Sequence, residues 1–101
     1  MEDFLVRVLK YPAIANVAAA LSNLHIPNKL VACHDGLQLL FPWTEADVIQ
    51  HSGSYGSKAN LMEVMGFLDD HETNDTVAGY LTAIDVMRRI IREYQKVHKD
   101  T

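Results

Sequence analysis

Residues 29–41 read Lys-Leu-Val-Ala-Cys-His-Asp-Gly-Leu-Gln-Leu-Leu-Phe, and this stretch decides the fold. Two short apolar runs, residues 29–33 and 37–41, flank the tripeptide His34-Asp35-Gly36. Asp-Gly between apolar runs favours a hairpin with a type I′ turn, because that turn needs positive φ at both central residues. The stretch therefore predicts two antiparallel strands, and Pro42 ends the second strand or marks it as an edge strand.

Helical periodicity lies on both sides of this hairpin. Between residues 14 and 24, apolar side chains recur with the i, i+3, i+4, i+7 spacing of a helix, and Pro12 fits its first turn. Residues 4–9 either extend this helix or form a separate turn. A second helix is predicted to begin after Thr82, the N-cap of a capping box with Asp85. Its apolar stripe comprises Ile84, Met87, Ile91 and Tyr94, widened by Ile90 and Val97.

Two further strands are predicted at residues 47–51 and 60–67, although the second segment suits a short helix equally well. Residues 69–76 are predicted to form an acidic loop. The fold class that follows is α+β, with an N-terminal helix, a three- or four-stranded antiparallel sheet and a C-terminal helix. We expect one such domain over residues 1–101, with both helices on one face of the sheet.

Composition narrows the class of protein. Apolar residues make up 49% and charged residues 22% of the 101-residue chain, which is typical of a globular protein. Cys33 is the only cysteine, so an intramolecular disulfide is excluded. The chain lacks a basic start followed by a long apolar stretch, and no apolar run approaches the ~18 residues of a membrane span. We therefore expect a cytoplasmic protein that does not bind membranes.

Charge is unevenly distributed along the chain. Residues 44–81 carry a net charge of −6, residues 82–101 a net charge of +2, and the first 43 residues none. Phosphate backbones attract basic surfaces, so direct nucleic-acid binding is not expected. The basic cluster at residues 88–99 is typical of the solvated end of a helix. The acidic segment instead indicates a protein partner with a basic surface.

A metal site or a catalytic thiol is the first chemical candidate. Cys33, His34 and Asp35, with His51 later in the chain, are sound zinc ligands, but their spacing is not that of a familiar zinc site. Adjacent strand residues point to opposite faces, so Cys33 and His34 are not expected to face one ion. His34 and His51 remain a weaker alternative metal pair. An apolar strand should also raise the pKa of the Cys33 thiol, which disfavours a nucleophile.

Two segments have the composition of binding surfaces. Residues 51–58 read His-Ser-Gly-Ser-Tyr-Gly-Ser-Lys, which does not match a phosphate-binding loop but suits an adaptable binding loop with Ser54 and Tyr55. A simple strand connection would use the same residues. Phe41-Pro42-Trp43 places two large rings beside a proline. Trp43 is an anchor for a partner if it is exposed, and part of the core if it is buried.

Several of these motifs together resemble those of a group of small proteins. They are His34-Asp35-Gly36, Phe41-Pro42-Trp43-Thr44, Asp47-Val48 and residues 51–56, followed by Glu63 and Leu81-Thr82-Ala83. Over roughly residues 30–95 the chain resembles small uncharacterised proteins of phages and mobile elements in Gram-positive bacteria. That group has no assigned activity, so no functional residue carries over. The resemblance implies a phage setting, in which small acidic proteins such as anti-CRISPR proteins inhibit host defence nucleases.

The sequence as a whole favours a non-enzymatic, acidic interaction protein without a cofactor. The candidate partner-binding residues are Trp43, Glu45, Asp47, Ser54, Tyr55, Asp69 and Asp70. The alternative is a small-ligand or metal-dependent protein, including an enzyme, that uses residues 51–55 with His34. Convergence of His34, His51 and Tyr55 in one pocket would favour that alternative.

The strands also bear on oligomeric state. In residues 30–33 and 37–41, apolar side chains are predicted on both faces of the strands. This is typical of a sheet that is covered on both faces, and two helices on one face cannot cover the other. A two-fold homodimer is the simplest cover. In the competing arrangement, residues 1–11 or the acidic loop fold across the open face of a monomer.

Overall fold

A computed structural model describes residues 2–72 and 75–98 of the chain. Within these residues there are three α-helices and five β-strands. The helices are α1 (Glu2–Lys10), α2 (Pro12–Asn23) and α3 (Ala83–His98). The strands are β1 (Lys29–Cys33), β2 (Gly36–Phe41), β3 (Thr44–Gln50), β4 (Met62–Met65) and β5 (Val77–Leu81). Two short 3₁₀ turns lie at Ser57–Ala59 and Asp70–Glu72.

The five strands form one antiparallel sheet in the order β1-β2-β3-β4-β5. The α+β class is confirmed, and the segment around residue 63 is a strand rather than a helix. The expected strand number of three or four was wrong, because the chain forms one more strand, β5, directly after the acidic loop. With only five residues, one of them Gly79, β5 lacks the alternating pattern by which a strand is predicted.

The hairpin of β1 and β2 is confirmed, but its turn is not the predicted one. Cys33 pairs with Gly36, so His34 and Asp35 form the two-residue turn. Only His34 has a positive φ, at 53°, whereas a type I′ turn needs two such residues. Gly36 serves a different purpose: a Cβ there would meet the Gln50 carbonyl and lie 2.7 Å from His51 Cα. Close approach of β3, rather than turn geometry, therefore requires this glycine.

Residues 4–9 belong to a separate helix. Helices α1 and α2 are bent by 99° relative to one another. The break lies at Tyr11, whose amide still donates to the Arg7 carbonyl, and Pro12 begins α2 where its missing N–H costs nothing. Among the described residues no single helix is long and apolar enough to cross a membrane; only this bent pair reaches that length and apolarity together.

The core lies between the sheet and two helices. Leu37, Leu39 and Val48 on the sheet are fully buried, as are Ile14 of α2 and Ile90 of α3. These residues belong to one cluster, so both long helices pack on the same face of the sheet, as predicted. The Cα radius of gyration, 13.1 Å, equals the value of about 13 Å expected for a compact domain of 100 residues.

The buried face of helix α3 differs from the predicted apolar stripe. Thr82 Oγ1 accepts the Asp85 amide hydrogen bond at 3.2 Å, which confirms the N-cap, but the Asp85 carboxylate contacts Arg88 rather than reaching back. Ile84, expected in the stripe, is 82% exposed, and Val97 is exposed as well. Arg89 is buried in their place. Apolar spacing alone could not identify a buried arginine, because its burial depends on acidic partners elsewhere in the chain.

Those partners lie in the acidic loop. Arg89 donates to Glu72 at 2.7 Å and to the Phe67 carbonyl at 2.9 Å, while Asp69 accepts from Arg88 and Arg92. The Arg89 hydrogen bond, helped by the Asp69 amide, lowers the pKa of Glu72 to about 2. Asp69 and Glu72 of the acidic loop are therefore paired with arginines of α3 within the molecule.

Arg89→Leu and Arg88→Leu form a matched pair for testing this network. The Arg89 side chain is 3% exposed and that of Arg88 is 50% exposed. Removing Arg89 leaves the half-buried Glu72 carboxylate without its charged partner and the Phe67 carbonyl without the arginine donor, so we expect a loss of about 3–5 kcal/mol in the free energy of unfolding. Arg88→Leu should change it little, because Arg92 still pairs with Asp69. Equal losses in urea denaturation would contradict the assigned roles.

Candidate functional site: the open face of the sheet

The face of the sheet opposite α2 and α3 is a surface that these helices leave uncovered. Strand alternation and register place eleven side chains on it. They are Lys29, Val31, Cys33, Gln38, Leu40, Glu45, Asp47, Ile49, Glu63, Met65 and Val77. We call this surface the open face.

The open face has apolar side chains on both sides of an acidic middle strand. Met65 of β4 is 54% exposed and Leu40 of β2 is exposed, with β3 between them. Glu45 is exposed, and Asp47 is half-buried, accepting a hydrogen bond from Gln38 at 2.7 Å. Because Gln38 is neutral, this bond leaves the Asp47 charge in place. The other carboxylate oxygen of Asp47 is buried and has no partner among the described residues.

The loop of residues 51–58, here called the Gly/Ser loop, borders the open face. Ser54 is buried: its hydroxyl accepts from the His51 amide and donates to the His51 carbonyl, so it shapes the loop rather than contacting solvent. The Tyr55 amide donates to Glu63 at 3.2 Å. Tyr55 lies over Gly79, where a Cβ would come within 2.5 Å of the Tyr55 Cβ. The absence of a side chain at Gly79 therefore makes room for Tyr55.

Tyr80 is a second exposed aromatic residue that the sequence did not indicate. Its ring lies 6.2 Å from that of Tyr55 and nearly parallel to it, at 20°. The two side chains are 67% and 58% exposed. Tyr80 has a φ of 58°, and its amide donates to the Tyr55 carbonyl. A bulky residue at positive φ is a backbone outlier, so the pair is held in place by the surrounding structure.

Asp35 connects the hairpin turn to the Gly/Ser loop. Its carboxylate accepts from the Ser52 amide at 2.9 Å and the Ser52 hydroxyl at 3.0 Å. It also accepts from the Tyr11 hydroxyl at 2.9 Å and from Lys10 at 3.3 Å. These donors, the Ser52 amide foremost, hold the pKa of Asp35 well below its ordinary value. The turn, the helix junction and the loop therefore meet at one carboxylate.

Cys33, His34 and His51 come together beside this carboxylate. One ligand atom from each lies within 4.8 Å of the others, and the two imidazole rings are 4.7 Å apart. The expectation that Cys33 and His34 point apart was wrong, because His34 lies in the left-handed region and so leaves the strand alternation. Burial, followed by the charge of Asp47, raises the pKa of the Cys33 thiol, with Arg7 opposing. A raised pKa disfavours a nucleophilic role, as the sequence indicated.

Tyr55 does not join the two histidines. A shallow groove of about 280 Å³ lies along the Gly/Ser loop, where Ser54, Tyr55, Lys58 and Tyr80 contribute to its walls. Neither histidine is among the residues that line it. The convergence of His34, His51 and Tyr55 in one pocket, which would favour the small-ligand alternative, is therefore not found among the described residues. The histidines pair with Cys33, and Tyr55 pairs with Tyr80.

Two other predicted contact residues have partners inside the fold. Trp43 is half-buried, packs 5.1 Å from Tyr94, and donates its indole N–H to the Pro27 carbonyl at 3.0 Å. Asp69 is held by the arginines of α3. Asp70 is exposed, in the 3₁₀ turn beyond the sheet. Of the predicted binding residues, Glu45, Asp47 and Tyr55 therefore lie on or beside the open face.

Comparison with protein-family models, curated proteins and solved structures finds no match for this chain. Function is therefore inferred from the chemistry of the open face and of the Gly/Ser loop that borders it.

Gly36→Ala should separate the hairpin end from β3, with Gly53→Ala as the matched control. A Cβ at Gly36 meets backbone atoms of Gln50 and His51, whereas one at Gly53 meets only the His51 ring, at 3.2 Å. We expect Gly36→Ala to lower the free energy of unfolding by about 3 kcal/mol, the upper end of overpacking costs, and Gly53→Ala by less than about 1 kcal/mol. Urea denaturation measures both, and a neutral Gly36→Ala would contradict the described close approach.

Proposed function

We propose that this chain is a non-enzymatic interaction protein whose open face binds a basic and partly apolar surface of another protein. The observation that carries the proposal is the uncovered sheet face, on which Leu40 of β2 and Met65 of β4 are exposed on either side of β3. Exposed apolar patches bordered by polar residues are typical of protein interaction sites. Here the polar residues are Glu45 and Asp47 on the central strand β3, with the Gly/Ser loop at the margin of the face.

The charges available to a partner are fewer than the sequence suggests. Residues 44–81, whose net charge is −6, include Asp69 and Glu72, which are paired with arginines of α3. Of the carboxylates that remain, Glu45 and Asp47 lie on β3 within the open face. A basic side chain of the partner would therefore meet the middle of the sheet, with apolar contacts on either side. Complementary charge at such a site guides association and excludes acidic competitors.

The same charges favour a different protein over a second copy of this chain. A two-fold dimer would place the open faces of two copies against one another. Each face carries the carboxylates of Glu45, Asp47 and Glu63 against the ammonium group of Lys29, so the two surfaces would repel. A partner with the opposite charge has no such cost.

Tyr55 and Tyr80 extend this surface at the β5 end. Tyrosine offers a large, rigid and amphipathic contact area, and it is enriched among residues that dominate binding energy. The two rings are already stacked at 6.2 Å, so little side-chain freedom would be lost on binding. We therefore include both in the proposed interface.

The phage resemblance suggests which proteins offer such a surface. A nuclease that binds DNA or RNA has a basic channel, and blocking that channel is how an acidic protein of anti-CRISPR type would act. On this proposal the chain acts in the cytoplasm of a bacterial host as an inhibitor of a defence nuclease. Heparin, a soluble polyanion, should then compete with the chain for its partner.

Met65→Glu and Ile84→Glu form the matched pair that tests the surface. Both replace an exposed apolar residue by glutamate, but Ile84 lies on α3, on the opposite side of the sheet. Each protein is immobilised and exposed to host extract at low salt. Wild type and Ile84→Glu should capture the same protein, and Met65→Glu should capture at least about tenfold less of it. Heparin or high salt should release it, since exposed charges are screened beyond about 8 Å at physiological ionic strength.

Three results would contradict the proposal. The first is equal capture of the partner by Met65→Glu, which would place binding on another surface. The second is a complex unaffected by salt and heparin, which would remove the electrostatic argument. The third is light scattering that gives twice 11.4 kDa for the isolated protein and returns to 11.4 kDa in Met65→Glu, because the open face would then bind a second copy.

A further inference from the structure

The cluster of Cys33, His34 and His51 is not used by the proposed interface and has a chemistry of its own. It offers one sulfur and two imidazole nitrogens, all within 4.8 Å of one another. His34 is exposed, and Cys33 and His51 are half-buried, so the three donors are accessible from solvent. A thiolate with two imidazoles is a donor set that suits zinc and related transition metals and does not suit magnesium or calcium.

The backbone that carries these donors is held firmly. Arg7 donates to the His34 carbonyl at 2.6 Å and to the Gly36 carbonyl at 2.9 Å, which fixes both sides of the turn. Gly36 allows His51 to lie against the hairpin, and Asp35 ties the turn to Ser52, the residue after His51. Two segments 17 residues apart are therefore kept in register by contacts independent of any metal.

We propose that Cys33, His34 and His51 together bind one divalent transition-metal ion of the zinc type, leaving a fourth position for water or an external ligand. With Zn–S near 2.3 Å and Zn–N near 2.0–2.1 Å, the nitrogen and sulfur donors of a tetrahedral site lie about 3.3–3.6 Å apart. The described donors, all within 4.8 Å of one another, need to approach by at most about 1.5 Å to reach that geometry. Side-chain rotation of the exposed His34 can supply much of this, and the ion would displace the thiol proton of Cys33.

Metal binding would alter the Gly/Ser loop through one hydrogen bond. His51 Nδ1 accepts the Gly53 amide at 3.0 Å. If Nδ1 binds the metal, its lone pair is no longer available to Gly53. If Nε2 binds the metal, the neutral ring must carry its proton on Nδ1, which also ends the acceptor role. The Gly53 amide therefore reports metal binding at His51 whichever nitrogen is the ligand.

The test is a titration of reduced, untagged and metal-free protein with Co²⁺, followed by competition with Zn²⁺. We expect one ion per chain, a thiolate-to-cobalt charge-transfer band, tetrahedral d–d absorption, and displacement by Zn²⁺. Cys33→Ser should lose the charge-transfer band, and both Cys33→Ser and His34→Asn should bind at least about tenfold more weakly. Asparagine tolerates the positive φ at position 34, so the turn is preserved. His71→Gln, at an exposed histidine outside the cluster, is the matched control and should bind as wild type does.

A ¹⁵N-resolved spectrum with and without Zn²⁺ locates the ion independently, and the Gly53 amide should be among the most shifted resonances. Circular dichroism confirms that each variant is folded. The proposal is overturned if wild type shows no saturable binding up to about 1 mM metal. It is equally overturned if Cys33→Ser binds as tightly as wild type, or if the Gly53 amide is unmoved at saturation. None of these results depends on a protein partner, so they leave the proposed function to its own test.

Discussion

The Asp35 carboxylate is the point on which the arrangement of this protein depends. It accepts hydrogen bonds from the Ser52 amide and hydroxyl, from the Tyr11 hydroxyl and from Lys10. These donors belong to the Gly/Ser loop and to the junction of α1 and α2, while Asp35 itself is in the β1–β2 turn. One ionised side chain thus joins three separate segments, and charge-assisted bonds of this kind are stronger than neutral ones. The loop that borders the open face is positioned by this contact.

Much of the fold could be predicted because it follows from short-range patterns. The apolar runs on either side of residues 34–36 form a hairpin, and periodic apolar residues form α2 and most of α3. The unpredicted parts depend on long-range partners. Arg89 is buried because Glu72 and the Phe67 carbonyl accept its hydrogen bonds. Strand β5 forms because β4 offers an edge with which to pair, and its own five residues carry little signal.

The candidate site was only partly predictable, for similar reasons. Tyr55 could be identified because tyrosine in a glycine- and serine-rich loop is typically exposed, but its neighbour Tyr80 comes from the unpredicted strand. Trp43 and Asp69 have the composition of contact residues, yet the fold uses both internally. Cys33 and His34 converge because of one left-handed φ, which adjacency in the sequence does not reveal.

The most direct test of this account is the titration of the Asp35 carboxyl carbon followed by NMR as the pH is lowered. The carboxyl should not titrate in the pH range around 3.9 where an ordinary aspartate does, because the ionised form holds hydrogen bonds that the protonated form would lose. The Ser52 amide should remain protected from exchange over the same range, and both should change together on further acidification. A midpoint near the ordinary value of about 3.9, with the Ser52 amide unaffected, would contradict it. The turn, the helix junction and the Gly/Ser loop would then not be joined as described.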